Sequence, residues 1–152
     1  MIGQHCFDGC TSLQTVRIDA HGTTNNYGFA NCSNLTGIDF TGAMTGTGTY
    51  EFQNCTNLTT IIIRTKAATV TLNNINCFSN TPFASGKAGG TLYVPQEKIV
   101  DYQAATNWST ILSYTVTPEE GDPYSQNQIL PIEGSIYETQ YYDGETIEEE
   151  GV

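Results

Sequence analysis

Two histidines and five cysteines are the residues of this chain best suited to metal or nucleophilic chemistry. His5, Cys6 and Cys10 lie close together in sequence, as the members of a metal site or of a cysteine–histidine catalytic pair can do. Their spacing matches no zinc motif, and His5 and His21 both fall in turn-rich segments. We therefore predict neither a metal site nor a cysteine nucleophile.

The carboxylates offer no clearer catalytic arrangement. The first 118 residues contain six acidic side chains: Asp8, Asp19, Asp39, Glu51, Glu97 and Asp101. Nothing in their spacing places two of them at the separation that glycoside hydrolysis requires. No glycine-rich phosphate-binding motif is present either. The sequence predicts a protein that is not an enzyme and has no cofactor.

The element that must position these residues is a repeat. A pattern of the form F-x-x-C-[TS]-[SN]-L-x-x-[VI]-x-[IF] begins at Phe7, Phe29 and Phe52, at spacings of 22 and then 23 residues. A period of about 20–29 residues with this apolar core is the signature of leucine-rich repeats. We predict a β-rich α/β solenoid, a right-handed leucine-rich-repeat coil with short parallel strands, a C-terminal capping helix and an acidic tail.

Cys10, Cys32 and Cys55 share one position of this repeat. Stacked repeats would place them about 5 Å apart, the spacing of neighbouring strands. Such a column would be either a metal or redox ladder or a row of small buried side chains, which free cysteines resemble. We favour the buried row, because a shared core position explains all three residues. The odd number of cysteines disfavours a disulfide framework.

The repeat divides the chain into a solenoid of residues 1–116 and a tail of residues 117–152. Within the solenoid we predict repeats near residues 2–27, 28–50 and 51–76, a degenerate repeat at 77–94 and a cap at 95–116. In the cap, Pro95 is suited to a first helical turn and Gln96 to Asn107 is predicted to be helical. We expect Trp108 and Leu112 to pack back onto the last repeat.

The tail differs in composition from the solenoid. Residues 119–152 carry ten acidic residues and no basic one, whereas all five basic residues lie earlier. The low content of aliphatic residues predicts a disordered or partly ordered segment. The alternative is a hairpin that turns at Asp143-Gly144 and docks on the solenoid or on a neighbouring subunit.

Charge and hydropathy limit the partners. The net charge of −11 argues against nucleic acid, and the sequence contains no apolar run long enough to span a membrane. It shows no signal peptide and begins inside a repeat. We therefore expect a fragment of a longer surface or secreted protein, or else a particle component made in the cytoplasm.

The strand-lined face is the candidate binding surface. Alternate residues of each L-x-x-I-x-I strand point outward. The predicted outward column contains Arg17, Asp39, Ile62 and Tyr93, and Arg64 lies in a flanking column. The face either binds a macromolecule, as the inner surfaces of solenoids often do, or is an ordinary solvated sheet.

The end of the repeat region resembles a known family. Leu92-Tyr93-Val94-Pro95, Asp101-Tyr102 and Asn107-Trp108-Ser109 resemble the end of the BspA-like leucine-rich-repeat arrays, and the resemblance covers about residues 2–116. The chain departs from ordinary leucine-rich repeats because no asparagine ladder follows its strands. The resemblance implies a surface protein of gut or mouth bacteria that adheres to host matrix proteins or to other cells.

We therefore predict a non-enzymatic protein-binding or adhesion module of a bacterial cell-surface protein. The expected partner is a host matrix protein or a neighbouring subunit. The alternative is a structural spacer or assembly component, for example of a phage-like particle, whose tail docks on another subunit. A carbohydrate-binding surface is a third hypothesis, although it would need more exposed aromatic residues than Tyr93.

Overall fold

A computed structural model of the chain describes residues 5–84, 87, 89–112 and 127–138. Seven strands are present in this part: β1 (Thr15–Ile18), β2 (Gly22–Thr23), β3 (Gly37–Phe40), β4 (Met44–Gly46), β5 (Thr60–Ile63), β6 (Thr91–Val94) and β7 (Gln128–Pro131). The helical elements are two 3-10 helices, Ile75–Phe78 and Gln96–Lys98, and two α-helices, α1 (Ile99–Ala104) and α2 (Trp108–Ile111).

Five of the strands form one parallel sheet in the order β1-β3-β5-β6-β7. The repeat pattern sets its register, because equivalent positions pair directly: Thr15 lies opposite Gly37, Gly37 opposite Thr60 and Thr60 opposite Thr91. Strands β2 and β4 form a second, two-stranded parallel sheet. The prediction of short parallel strands with few helices is confirmed.

Repeated aromatic residues form the centre of the core. The rings of Phe7, Phe29, Phe52 and Phe78 stack on one another with centroid distances of 5.0, 5.8 and 5.3 Å. The strand residues Ile38 and Phe40 are each only 1% exposed. Phe78 stacks on Phe52, so the fourth occurrence of the pattern begins at Phe78 and reads Phe78-Ser79-Asn80-Thr81.

The predicted column of buried cysteines is present at two of its three positions. All five are free thiols. Cys32 and Cys55 are buried, and the thiol of each donates to the Phe carbonyl of the preceding repeat, at 3.1 Å to Phe7 and 3.0 Å to Phe29. The prediction of a buried Cys10 is wrong, since Cys10 is exposed. Its repeat lies at the edge of the sheet, and no described residue covers that side.

An asparagine ladder is present, but at a different position from that of ordinary leucine-rich repeats. The side-chain amide of Asn80 donates to Asn54, that of Asn54 to Asn31 and that of Asn31 to Asp8, at 3.1, 2.7 and 2.7 Å. The three asparagines have φ values of 59°, 64° and 62°. Asparagine tolerates this left-handed conformation better than most residues, which explains its use directly before the Cys position.

The predicted helix at Gln96 to Asn107 is interrupted. The chain forms the 3-10 helix Gln96–Lys98 and then α1, becomes extended at Ala105 and is left-handed at Asn107, where φ is 69°. The Asn107 amide donates to the Leu72 carbonyl at 2.8 Å. This contact with the third repeat fixes the break between α1 and α2.

Residues 127–138, which the sequence analysis assigned to the acidic tail, include a strand of the main sheet. Strand β7 pairs with β6 from Thr91–Gln128 to Val94–Pro131. The buried Asn127 accepts from the Gly90 N–H at 2.8 Å and donates to the Ile111 carbonyl at 3.1 Å. Residues 127–138 are therefore ordered against the sheet, as the alternative of a segment docked on the solenoid expects for part of the tail. The predicted hairpin at Asp143-Gly144 lies outside the described residues.

Candidate binding groove on the strand-lined face

The outward column of the sheet has the predicted register. Arg17 pairs with Asp39, Asp39 with Ile62 and Ile62 with Tyr93, on strands β1, β3, β5 and β6. In-register parallel pairing of equivalent repeat positions places these four residues side by side. The repeat pattern was enough to predict this arrangement.

A groove of about 400 Å³ lies on this face. Strands β1, β3 and β5 form its floor, and one wall comes from the segment that follows β7. Its lining residues are Thr15, Val16, Arg17, Thr36, Gly37, Ile38, Asp39, Thr59, Thr60, Ile62 and Tyr137. Three of the five predicted face residues, Arg17, Asp39 and Ile62, are among them.

Tyr137 forms the wall. Its carbonyl accepts a hydrogen bond from Arg64 Nη1 at 3.0 Å, and its ring lies 4.8 Å from the Tyr93 ring in an edge-to-face arrangement. Burial, and to a lesser extent the neighbouring Tyr137, raises the pKa of the Tyr93 phenol. Arg64 and Tyr93 are therefore not lining residues. They hold the residue that shapes the groove.

Two of the predicted exposed residues are buried. The Arg64 side chain has no exposed surface, and Ile62 is 4% exposed. The prediction of an open face at these positions is wrong. Arg64 is held between Asp39 and the Tyr137 carbonyl, and Ile62 lies on the groove floor that Tyr137 walls. The sequence pattern could not show this, since nothing in the repeat predicts where residues 127–138 pack.

A charged cluster lies at one side of the groove. Arg64 binds Asp39 through two nitrogen–oxygen contacts, at 2.8 Å from Nε and 3.0 Å from Nη2. Arg17 Nη2 approaches the same carboxylate at 3.4 Å, and the Arg17 side chain is 41% exposed. The buried bidentate pair fixes Asp39, while Arg17 presents a guanidinium to solvent at the edge of the groove.

The groove floor combines threonine hydroxyls with apolar side chains, and its centre is free of a side chain. Gly37 lies in its centre between Thr15 and Thr60, and a Cβ atom built on Gly37 meets no neighbour closer than 3.7 Å. Thr36 and Thr59 also line it. Hydroxyls, an arginine, Ile62 and an aromatic wall together suit a segment with both polar and apolar side chains.

The histidines and exposed cysteines stay apart from this groove. His5 Nδ1 lies 2.7 Å from Asp8, and His21 Nε2 lies 2.8 Å from Asp19. Cys6 and Cys10 are exposed. In the described part of the chain, no group of three or more His, Cys, Asp or Glu side chains is arranged to hold a metal ion.

A column of stacked aromatic rings, not predicted from the sequence, lies two residues before each Phe. His5 stacks on Tyr27 at 4.7 Å and Tyr27 on Tyr50 at 5.3 Å, each with φ of 59°. The shared spacing to Phe7, Phe29 and Phe52 could have predicted it. Because these rings face one another, they do not offer the flat platforms that sugar rings bind, which disfavours the carbohydrate hypothesis.

A buried carboxyl was also missed. Glu51 has no exposed surface, and its Oε2 accepts from the Thr24 hydroxyl and from the Gly48 N–H. Its Oε1 has no hydrogen-bond partner among the described residues. Burial raises the pKa of Glu51 to about 7 from its ordinary value of 4.5. The equivalent positions are Cys6 and Gly28, so no repeated pattern indicated an acid here.

No curated protein and no solved structure matches the chain at a significant level. In the described part, no helix has the length and apolar character needed to cross a membrane.

The model of a family described as the BspA type leucine rich repeat region (6 copies) matches residues 1–99. Leucine-rich repeats of this kind are generally non-enzymatic scaffolds that mediate protein interactions, and proteins that carry them are typically associated with the cell surface. The repeats, the in-register parallel strands β1, β3, β5 and β6, and the stacked Phe rings all lie within the matched region. The chain belongs to the family of BspA-type leucine-rich-repeat proteins.

Proposed function

We propose that this protein is a binding module that recognises another protein through the groove between strands β1, β3 and β5 and Tyr137. The observation that carries the proposal is the groove itself, a concave space on the face where the repeats present their outward column. Concave faces of repeat arrays are common binding surfaces because neighbouring repeats contribute equivalent side chains.

The architecture that we infer for the module is a leucine-rich-repeat solenoid closed at its C-terminal end. Trp108 Nε1 donates to the Val70 carbonyl at 2.7 Å, and the Tyr102 hydroxyl accepts from the Val70 N–H at 3.0 Å. Both rings are fully buried. These contacts support a capping role for residues 95–112, since an array of repeats needs its last apolar surface covered.

The biological setting that we propose is adhesion at a bacterial cell surface, with a host matrix protein as partner. Family membership supports this setting. The alternative of a structural component whose tail docks on a neighbouring subunit has less support. Residues 127–138, the described part of that tail, pack on the sheet of their own chain.

Filling the groove is the direct test of the proposal. A tyrosine at position 37 (Gly37→Tyr) would project from the floor, where a Cβ meets only ordinary contacts. Glycine is unfavourable inside a strand, so the substitution is expected to keep or raise stability while it blocks the groove. The matched control is Thr45→Tyr, at an exposed position of β4 on the second sheet.

Binding would be measured on surfaces coated with extracellular-matrix proteins and with peptides selected from a random display library on the immobilised wild-type chain. We expect Gly37→Tyr to weaken binding at least about tenfold, since steric exclusion removes the interaction, and Thr45→Tyr to leave it unchanged. If Gly37→Tyr binds as tightly as Thr45→Tyr and its thermal unfolding is unchanged, the groove is not the binding site.

A further inference from the structure

Gly37, at the centre of the groove floor, is a glycine that the fold itself does not require. Gly42 and Gly48 leave no room for a Cβ atom, which would collide with backbone atoms of the preceding repeat. Gly9 and Gly22 have positive φ values of 77° and 72°, which favour glycine. Neither reason applies to Gly37, because its φ is not positive and a Cβ atom would meet its nearest neighbours at 3.7 Å.

The other strands of the sheet carry threonine at this position. Thr15 and Thr60 pair directly with Gly37 from either side, and Thr91 pairs with Thr60. Threonine suits a strand, whereas glycine inside a strand is unfavourable and often marks a place where a ligand or another chain approaches closely. The missing side chain leaves a slot in the row, one strand wide, between Thr15 and Thr60.

The walls of this slot are mostly carbon. The atoms nearest to a Cβ on Gly37 are Thr60 Cβ and the Thr60 carbonyl oxygen, both at 3.7 Å, and the Thr15 Cγ2 methyl at 3.9 Å. Ile62 lines the same groove and is 4% exposed. A charged group would lose its hydration in such a place, so the slot suits an apolar side chain.

The dimensions of the slot fit an aromatic ring. Neighbouring strands are about 4.8 Å apart, and the Phe rings of successive repeats already stack in the core with centroid distances of 5.0, 5.8 and 5.3 Å. A ring in the place of a Gly37 side chain is therefore compatible with the spacing of the repeats. The groove also contains Tyr137, whose ring is held edge-to-face against Tyr93, and aromatic rings pair favourably with one another.

We propose that the Gly37 slot receives an aromatic side chain of the bound protein segment, and that this ring determines the specificity of the groove. The inference rests on the proposed function, since it concerns the same groove and names the part of the partner that the groove recognises. Glycine at position 37 then has a role that the fold alone does not give it, which is to leave room for the ring of the partner.

The test restores the threonine that the other strands carry. Gly37→Thr fills the slot, and it is expected to keep or raise the temperature of unfolding because it meets no close contact. The probes are the peptides selected on the immobilised wild-type chain, together with copies in which each aromatic residue in turn is replaced by leucine. Dissociation constants would be measured by isothermal titration calorimetry for the wild type and for Gly37→Thr.

We expect one aromatic-to-leucine replacement to weaken binding to the wild type about tenfold or more. The same replacement should change binding to Gly37→Thr by less than about threefold, because the slot is already filled and the two changes remove one contact. Thr15→Val is the matched control: it keeps the shape of the wall, removes only a hydroxyl, and should leave binding within about twofold. Gly37→Ala gives the same readout if Gly37→Thr is poorly folded by circular dichroism.

Two results would overturn the inference. One is a set of selected peptides that share no aromatic residue, and the other is a leucine replacement that weakens binding to the wild type and to Gly37→Thr equally. If Gly37→Tyr still blocks binding in either case, the groove remains the binding site and only the role of the slot fails. Full binding by Gly37→Tyr would instead remove the groove, and the proposed function with it.

Discussion

Residues 5–84 pack against the main sheet by different means from residues 89–112 and 127–138. In the first region one contact recurs at each repeat, as in the Phe stack with its spacings of 5.0, 5.8 and 5.3 Å. In the second region the contacts occur once, as at Trp108, Asn127 and Tyr137. Recurring contacts give the array its shape, whereas single contacts determine where it closes and where a groove forms.

The largest effect is expected where a single contact closes the array. Trp108→Ala removes a fully buried indole and its hydrogen bond to Val70. We expect a loss of about 3–5 kcal/mol in the free energy of unfolding, measured by urea denaturation. Ser109→Ala, at the exposed neighbouring position, should change stability by less than about 0.5 kcal/mol. Similar losses from both would show that the indole does not close the array.

A pH dependence is expected inside the repeated region, at Glu51. Burial raises the pKa of this carboxyl to about 7 from 4.5, so the folded protein favours the protonated form. The stabilisation is complete below pH 4.5 and is lost as pH rises through about 7. Between pH 4.5 and about 7, the free energy of unfolding falls by roughly 3 kcal/mol through this group.

Glu51→Gln keeps the shape of the side chain without the charge. We expect this variant to be more stable than the wild type at pH 8 and nearly equal to it at pH 4, in urea titrations at each pH. Glu97→Gln, at an exposed position paired with Lys66, is the matched control and should follow the wild type at both pH values. A constant difference between Glu51→Gln and wild type across this range would contradict the assignment.

The contact between the two regions is tested by substituting Asp39, because Asp39 binds Arg64 and Arg64 in turn binds the Tyr137 carbonyl. Asp39→Asn leaves Arg64, whose side chain is fully buried, without its carboxylate. Breaking a buried ion pair by removing one partner costs several kcal/mol, and we expect about 2 kcal/mol because Asp39 is partly exposed. Asp19→Asn removes an exposed partner of His21 and should cost less than about 0.5 kcal/mol.

The Asp39–Arg64 ion pair also contacts the groove wall, because Arg64 donates a hydrogen bond to the Tyr137 carbonyl. Limited proteolysis near Tyr137 should therefore be faster in Asp39→Asn than in Asp19→Asn. Equal proteolysis rates, together with the expected loss of stability, would show that the ion pair stabilises the sheet but does not position Tyr137.

The contrast between the regions explains which features the sequence could predict. A repeated position is constrained by its neighbours on both sides, so Arg17, Asp39, Ile62 and Tyr93 could be aligned from spacing alone. The exposure of Cys10 and the burial of Arg64 could not be predicted from spacing. Each depends on whether another segment covers that residue, and the segment that covers Arg64 is far away in sequence. Glu51 takes the place of Cys6 and Gly28 in the other repeats, so no repeated acidic residue pointed to a buried carboxyl there.

The smallest effect is expected in the asparagine ladder, where the repeated contacts are exposed. Asn54 combines a left-handed backbone, with φ of 64°, and side-chain hydrogen bonds to Asn31 and from Asn80. Asn54→Gly keeps the backbone conformation and removes only the side-chain bonds, so we expect a loss of about 0.5–1 kcal/mol. Asn54→Ala adds the cost of a left-handed alanine, about 1 kcal/mol more. Thermal and urea unfolding of both variants separate the two contributions, and equal losses would mean that the backbone conformation does not select asparagine at this position.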